Sequence, residues 1–178
     1  LGYDVGQSYC KKHWGEMMID YKLNVGEKAA LDLEVAIYPE AKFKLADALG
    51  SWVIVYFYPK DMTSGCTTES CEFRDTLPDF SAANAKIIGV SRDSLKSHAN
   101  FTEKESLNFP LISDEDEAFC KAFDVIQEKM NYGKKYMGIE RSTFIINPEG
   151  VVAEAWRGVK VPGHVDAVLA RLKELQAA

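Results

Sequence analysis

The sequence predicts an α/β protein, a mixed central sheet flanked by helices, with a β-hairpin at its N-terminal side. Two patterns carry that expectation. "SWVIVYFYP" (residues 51–59) and "KIIGVS" (residues 86–91) are apolar without alternation, as strands covered on both faces are. After each of them apolar residues recur at helical spacing, so strands alternate with helices.

The elements follow in order. "LDLEVAI" and "KFKLAD" alternate apolar and polar residues around "YPEA", which reads as a hairpin. "SWVIVYFYP" is the central strand. Phe73, Leu77 and Phe80 then mark a helix, whose far part Pro78 is expected to interrupt by removing a backbone donor. "KIIGVS" is the second buried strand. Ser94 is placed to cap a helix with Leu95, His98, Phe101 and Leu107 on one side. "FPLIS" is a short extended piece, and Ser113 or Asp114 caps a helix carrying Phe119, Ala122 and Phe123. "RSTFIIN" and "VVAEAWR" form a second hairpin through the Pro-Glu-Gly turn. A last helix follows Gly163, with Val165, Val168, Leu169 and Leu172 inward.

Composition narrows the function. The chain has 178 residues, 47% of them hydrophobic and 27% charged, with a formal net charge of −6. That length supports one domain with a real core, expected over residues 23–178, and an extension over residues 1–22 of unassigned role. The acidic balance disfavours nucleic acid and anionic membrane as partners. No apolar run is long enough to span a bilayer. Four cysteines in a chain of this size do not make a disulfide scaffold. A reducing compartment is expected: the cytoplasm, or an organelle if the N-terminus was processed.

Cys66 carries the chemistry. It follows a strand and the turn "PKDMTSG" and falls in the first turn of a helix, where free N–H groups and the positive end of the helix dipole favour a thiolate. A free cysteine is only a few per cent thiolate at neutral pH, so such help makes a nucleophile. Thr63 can donate its hydroxyl to the thiolate or to a substrate oxygen. Gly65 admits close backbone approach, and Pro59 shields one side of the pocket. Such a thiolate, with a hydroxyl, backbone donors and a cation nearby, can attack one oxygen of an O–O bond while the donors stabilise charge on the other. A lone cysteine at a strand end is most often a small buried apolar residue; the set Pro59, Thr63, Gly65 and Cys66 argues against that here.

These residues resemble a known family. "YPKDMTSGCTTESCEFRD" contains the peroxiredoxin pattern P-x-x-x-T-x-x-C at Pro59, Thr63 and Cys66. More narrowly it is similar to the bacterioferritin comigratory protein, or peroxiredoxin Q, group. The likeness continues through "NFPLISDEDEAFCKAFDV", "YMGIERSTFIINPEG" and "WRGVKVPGHVDAVL". The resemblance implies a thioredoxin-like fold and a thiol peroxidase acting on hydrogen peroxide and organic hydroperoxides, with no metal or organic cofactor. It implies that Cys66 is the peroxidatic cysteine and that Arg141 is the remote arginine facing it. Glu69 matches an acidic position; orienting Arg141 and simply complementing the helix dipole are both open roles for it.

Within that group, the cysteine five residues after the peroxidatic one is the resolving thiol, which here is Cys71. A sulfenic acid at Cys66 would condense with it. In a regular helix such a pair lies roughly 9 Å apart between Cα atoms, beyond the reach of about 7 Å that a disulfide allows, so the turn must unwind. Both partners lie in one chain, so a monomer with an intramolecular disulfide is expected, regenerated by thioredoxin or a similar dithiol donor. A non-catalytic peroxide sensor needs the same thiolate and is the alternative; a dithiol isomerase is disfavoured by the lack of C-x-x-C. Cys120 reads as a core thiol. Cys10 and His13 lack a second pair for zinc. His164 reads as a capping or surface residue, Arg74 and Asp75 as an ion pair, and "SDEDE" as a solvated helix start.

Overall fold

The computed structural model describes residues 12–14, 17–19 and 21–178. Strands β1 (Lys12–Trp14) and β2 (Met17–Ile19) pair antiparallel as a separate two-stranded sheet. The main sheet has seven strands: β3 (Val35–Tyr38), β4 (Lys42–Phe43), β5 (Trp52–Phe57), β6 (Ala85–Ser91), β7 (Leu111–Ser113), β10 (Ser142–Ile146) and β11 (Val152–Arg157). Their order is β11-β10-β5-β6-β7-β3-β4. The β5–β6 and β6–β7 pairs are parallel; the rest are antiparallel, which makes the sheet mixed as the sequence predicts.

Strand β5 lies inside the sheet, and its residues 53–57 are fully buried. Period-two geometry sends them to opposite faces. Ile54 and Tyr56 join Phe73, Phe80, Phe101, Val168 and Leu172, beneath helices α1 (Ser64–Ala82), α2 (Leu95–Glu105) and α4 (His164–Ala177). Val53, Val55 and Phe57 join Phe119, Phe123 and Phe144 on the face covered by the short helix α3 (Ala118–Ala122). Tyr21 and Leu23 are already part of that second core.

Helix signals operate as read at two points. Ser94 Oγ accepts from Ser97 N at 3.1 Å. Asp114 receives the N–H groups of Phe119 and Cys120 at 3.0 and 2.7 Å, tying down the start of α3. Four expectations need correction. Leu95 is exposed, because its position at the first turn of α2 faces solvent, and Leu107 lies beyond the end of that helix. "LAD" is not strand but part of a 3-10 turn, Leu45–Ala48. His164 is buried against Trp156 and Phe73 rather than at the surface, since α4 begins where the sheet and α1 close over it. Pro78 does not interrupt α1, which continues to Ala82.

The reason for the last is tertiary. Pro78 cannot donate to the carbonyl of Arg74, one turn back. Asn108 Nδ2 does so instead, at 3.2 Å, from the chain just past α2. Like the β1–β2 pair, another pairing has no counterpart in the sequence expectations: β8 (Ile126–Asn131) and β9 (Lys134–Ile139) form an antiparallel ribbon outside the main sheet. Tyr132 and Gly133 make its turn with φ of 50° and 77°. Both faces of the ribbon are largely solvated, so its sequence lacks the alternation by which strands are recognised.

Asn108→Ala should cost about 1 kcal/mol in denaturant unfolding, because the Arg74 carbonyl loses its donor. In a Pro78→Ala background, where a backbone N–H is restored to that carbonyl, the same substitution should cost measurably less.

Candidate active site

Strand register sets the site. Ser142 on β10 lies opposite Phe57, the last residue of β5. Arg141 therefore emerges at the end of the sheet where the chain leaves β5 and turns into α1. This is the carboxyl end of the parallel strands β5 and β6, the usual place for a site in an open α/β sheet. The Arg141 carbonyl accepts from Val159 N at 2.9 Å, which fixes the backbone beneath the guanidinium.

Thr63 is the N-cap residue of α1, so Cys66 is the third residue of the helix. Its side chain is almost fully buried, 1% exposed. Arg141 Nη2 lies 3.2 Å from Cys66 Sγ and donates to it; Nη1 donates to Glu69 Oε1 at 2.6 Å. The guanidinium thus bridges the thiol and a fully buried carboxylate one turn further along the helix. Gly65 lies close to this bridge: a Cβ there would stand 3.4 Å from Arg141 Nη2, an ordinary contact distance.

The electrostatics are tense. Burial pushes the Glu69 carboxyl up to about 7, although Arg141 pulls the other way. Its second oxygen, Oε2, has no hydrogen-bond partner among the described residues. Burial works against the charge of Arg141, but Glu69 and Cys66 outweigh it and raise its pKa. His164 is held neutral near neutral pH, lowered to about 4 by burial and then by Arg141. Its Nε2 sits 2.7 Å from Thr143 Oγ1.

Not every expected contact is present. The Thr63 hydroxyl donates to Lys60 O at 2.9 Å, within its own turn, rather than to Cys66. Pro59 lines an open cleft of about 1030 Å³, with Arg141, Val159 and residues of the β8–β9 ribbon. Cys71 is half-buried, its thiol 3.5 Å from Glu105 Oε2. Both Cys66 and Cys71 are free thiols, and the helix between them is unbroken. Cys120 is buried in the aromatic core; burial, then Asp114, raise its thiol far above the ordinary value. Arg74 and Asp75 pair at 2.9 Å. Cys10 and the His13 side chain lie outside the described residues.

One network had no place in the sequence reading. Asp61 is buried in the turn before α1 and accepts from Tyr58 Oη at 2.7 Å and Ser97 Oγ at 2.8 Å. Buried His98 places Nδ1 2.8 Å from the same carboxylate and Nε2 2.9 Å from Ile112 O. The ring thus links the Asp61 carboxylate to the Ile112 carbonyl. The backbone N–H of Asp61 donates to Asp93 at 2.8 Å. Met62, next in the chain, has a left-handed φ of 63°, a strained conformation for a side-chain-bearing residue that its anchored neighbour helps to impose. "KD" before the Thr63 motif was the available signal, but nothing in the sequence showed that His98 would meet it.

A buried thiol at a helix start, bridged by arginine at the end of a thioredoxin-like sheet, defines a redox enzyme that works through cysteine. Residues 25–155 match the model of the AhpC/TSA family. Peroxiredoxin Bcp of Xanthomonas campestris is 57% identical over 145 residues, 82% of this chain and 91% of that one. Peroxiredoxin Bcp of Bacillus subtilis is 48% identical, covering 86% and 97%. Among solved structures, Xanthomonas campestris peroxiredoxin Q superposes with a TM-score of 0.80 at 55% identity, over 86% of this chain and 97% of the other. A mutant of Xylella fastidiosa PrxQ gives 0.83 at 46% identity, over 86% and 98%. The chain belongs to the AhpC/TSA family and, within it, to the Bcp or peroxiredoxin Q kind of peroxiredoxin. It is a thiol peroxidase, as the Cys66 motif led one to expect, and uses a peroxide substrate and a thiol reductant.

Because burial raises the folded-state value of Glu69 above the ordinary 4.5, the folded protein holds that proton longer than the unfolded chain. Stability should therefore fall as pH rises from about 4.5 through about 7. Glu69→Gln should flatten that part of the profile by roughly 1–3 kcal/mol in urea titrations at successive pH values, and an unchanged slope would show that Arg141 fully offsets the burial.

Proposed function

We propose that Cys66 is the peroxidatic cysteine and Cys71 the resolving one, in a monomeric enzyme regenerated by thioredoxin or a similar dithiol. The observation that carries this reading is the Arg141 bridge: Nη2 3.2 Å from Cys66 Sγ, at the N-terminus of α1, with a second free thiol five residues on. The Cys66 thiolate attacks one peroxide oxygen. The O–O bond breaks, the other oxygen leaves as water or an alcohol, and Cys66 becomes a sulfenic acid. Arg141 supports both the attacking charge and the charge growing on the leaving oxygen. Glu69 orients the guanidinium from below. Pro59 and Gly65 shape the approach, and the Thr63 hydroxyl oxygen lies at the rim, free to turn towards substrate once its bond to Lys60 O is released.

Hydrogen peroxide and organic hydroperoxides are the proposed substrates. The Xanthomonas campestris bacterioferritin comigratory protein, 54% identical, is described in terms of alkyl peroxide reduction. The cleft beside Pro59 and Arg141, with Met130 and Tyr136 in its wall, offers room for an alkyl group. Residues 23–178 act as the enzyme and residues 1–22 as an extension; the expected setting is the cytoplasm or another reducing compartment.

Resolution requires motion. Cys66 and Cys71 sit five positions apart in one continuous helix, too far for a disulfide. Part of α1 must unwind, and the cost is set by what holds it down. Tyr56 Oη pairs with Ser70 Oγ at 2.8 Å, and the Tyr56 ring stacks on Phe73 with centroids 4.6 Å apart.

Cys66→Ser should abolish peroxide turnover in an NADPH-coupled thioredoxin assay. Cys71→Ser should reduce one equivalent of peroxide, leave a trappable sulfenic acid and lose most turnover. Retained turnover in Cys66→Ser would refute the assignment. Arg141→Met should slow oxidation about a hundredfold in stopped-flow while the fold remains. Amide exchange should show weaker protection of residues 65–70 in the disulfide form than in the reduced form; equal protection would remove Cys71 from the resolving role. Non-reducing electrophoresis after peroxide treatment should show no disulfide-linked dimer.

A further inference from the structure

The corner where α1 meets the end of α2 holds a second set of chemical groups. Cys71 Sγ donates to Glu105 Oε2 at 3.5 Å. Two further bonds tie the same stretch of α1 to the same place. Arg74 Nη1 donates to the Glu105 carbonyl, and Asn108 Nδ2 donates to the Arg74 carbonyl. All three act at residues 71–74.

The half of α1 before Cys71 is held differently. Arg141 grips Cys66 and Glu69, and Tyr56 meets Ser70. Oxidation of Cys66 to a sulfenic acid puts an oxygen on the sulfur that Arg141 grips, so it disturbs the first set of ties and leaves the second intact. Cys66 is then the thiol that travels, and Cys71 stays beside Glu105.

Cys71 in that place is a poor nucleophile by itself. Burial raises its thiol above the ordinary value, Glu105 raises it further, and Arg74 opposes them; Asp75 also raises it. These are the charged groups that α1 and α2 present to it. A thiol that stays protonated attacks slowly unless a base takes its proton as the new bond forms.

We propose that Glu105 is a catalytic residue of the resolving step, the general base that deprotonates Cys71. This deepens the reading of Cys71 as the resolving thiol and rests on it. Glu105 Oε2 accepts the proton as Cys71 Sγ forms the S–S bond with Cys66 Sγ. The S–O bond of the sulfenic acid breaks, and its oxygen leaves as hydroxide, which takes up a proton to become water. Cys71 sulfur is oxidised and Cys66 sulfur reduced, with the oxidising equivalents coming from the peroxide already consumed. Glu105 ends the step protonated and returns that proton to solvent.

The test separates oxidation from resolution in single-turnover stopped-flow, read by tryptophan fluorescence and by mass-spectrometric trapping of the sulfenic acid. Glu105→Gln keeps a hydrogen-bond acceptor but removes the base. It should leave the oxidation phase unchanged and slow resolution about a hundredfold at pH 7. The deficit should shrink as pH rises and Cys71 ionises unaided, and Glu105→Asp should recover part of the rate. Resolution in Glu105→Gln at the wild-type rate or faster would overturn the proposal, since Glu105 would then be only a latch on the helix. A deficit that is equal at every pH would overturn it too. Cys71→Ser keeps the two failures apart: if that variant still forms a Cys66 disulfide at the wild-type rate, the assignment of Cys71 falls; if it stalls while Glu105→Gln does not, only the base is wrong.

Discussion

The guanidinium of Arg141 is the contact around which the site is assembled. It joins Cys66 and Glu69 on one helix to a residue 75 positions later at the start of a strand. A cation placed there is costly to desolvate, and Glu69 and the sulfur are what offset the cost. The demands of that bridge reach outward. The β5–β10 register must bring residue 141 to the mouth of α1, and the Val159 N–H must hold the Arg141 carbonyl. Glu69 bears the strain of the arrangement, as a buried carboxyl with one oxygen on arginine and the other without a partner among the described residues.

A second demand opposes the first. In the proposed cycle, the helix that presents Cys66 to Arg141 keeps it too far from Cys71 for a disulfide, so the same segment is formed for one step and opened for the next. The structure divides its ties accordingly. Upstream of Cys71 they are the Arg141 contacts to Cys66 and Glu69 and the Tyr56–Ser70 bond. Downstream they depend on Asn108, Arg74 and Glu105, none of which senses the state of Cys66 directly. Pro78 leaves a gap in the helix ladder that Asn108 fills from outside, so the far part of α1 is held by its surroundings as well as by its own bonds.

The turn before α1 is kept in place by a separate buried network. Asp61 gathers Tyr58, Ser97 and His98, and His98 carries the link on to the Ile112 carbonyl on β7. A carboxylate with three hydrogen-bond partners and an imidazole bonded at both ends can be buried without an unpaired polar group. The result is that the loop leading to Cys66 is fastened to α2 and to the sheet, independently of Arg141.

Much of this was legible from residues alone. Continuous apolar runs gave the buried strands because coverage on both faces leaves no polar side, and Ser94 and Asp114 announced helix starts because their short side chains reach free N–H groups. The Pro59, Thr63, Cys66 pattern pointed to the family, and it is the motif on which the proposed nucleophile rests. The β8–β9 ribbon was not legible, because solvent on both faces removes the periodicity that marks a strand. Pro78 was misread because a backbone donor lost inside one helix was replaced by a side chain 30 residues on, at Asn108. The Arg141–Glu69 bridge, the His98–Asp61 network and the meeting of Cys71 with Glu105 are likewise contacts between distant segments. Local sequence sets which groups are available and which secondary structure carries them; only the register of β5 with β10 and the packing of α2 on α1 decide which of those groups meet, because a hydrogen bond depends on separations of a few tenths of an ångström that no spacing along the chain encodes.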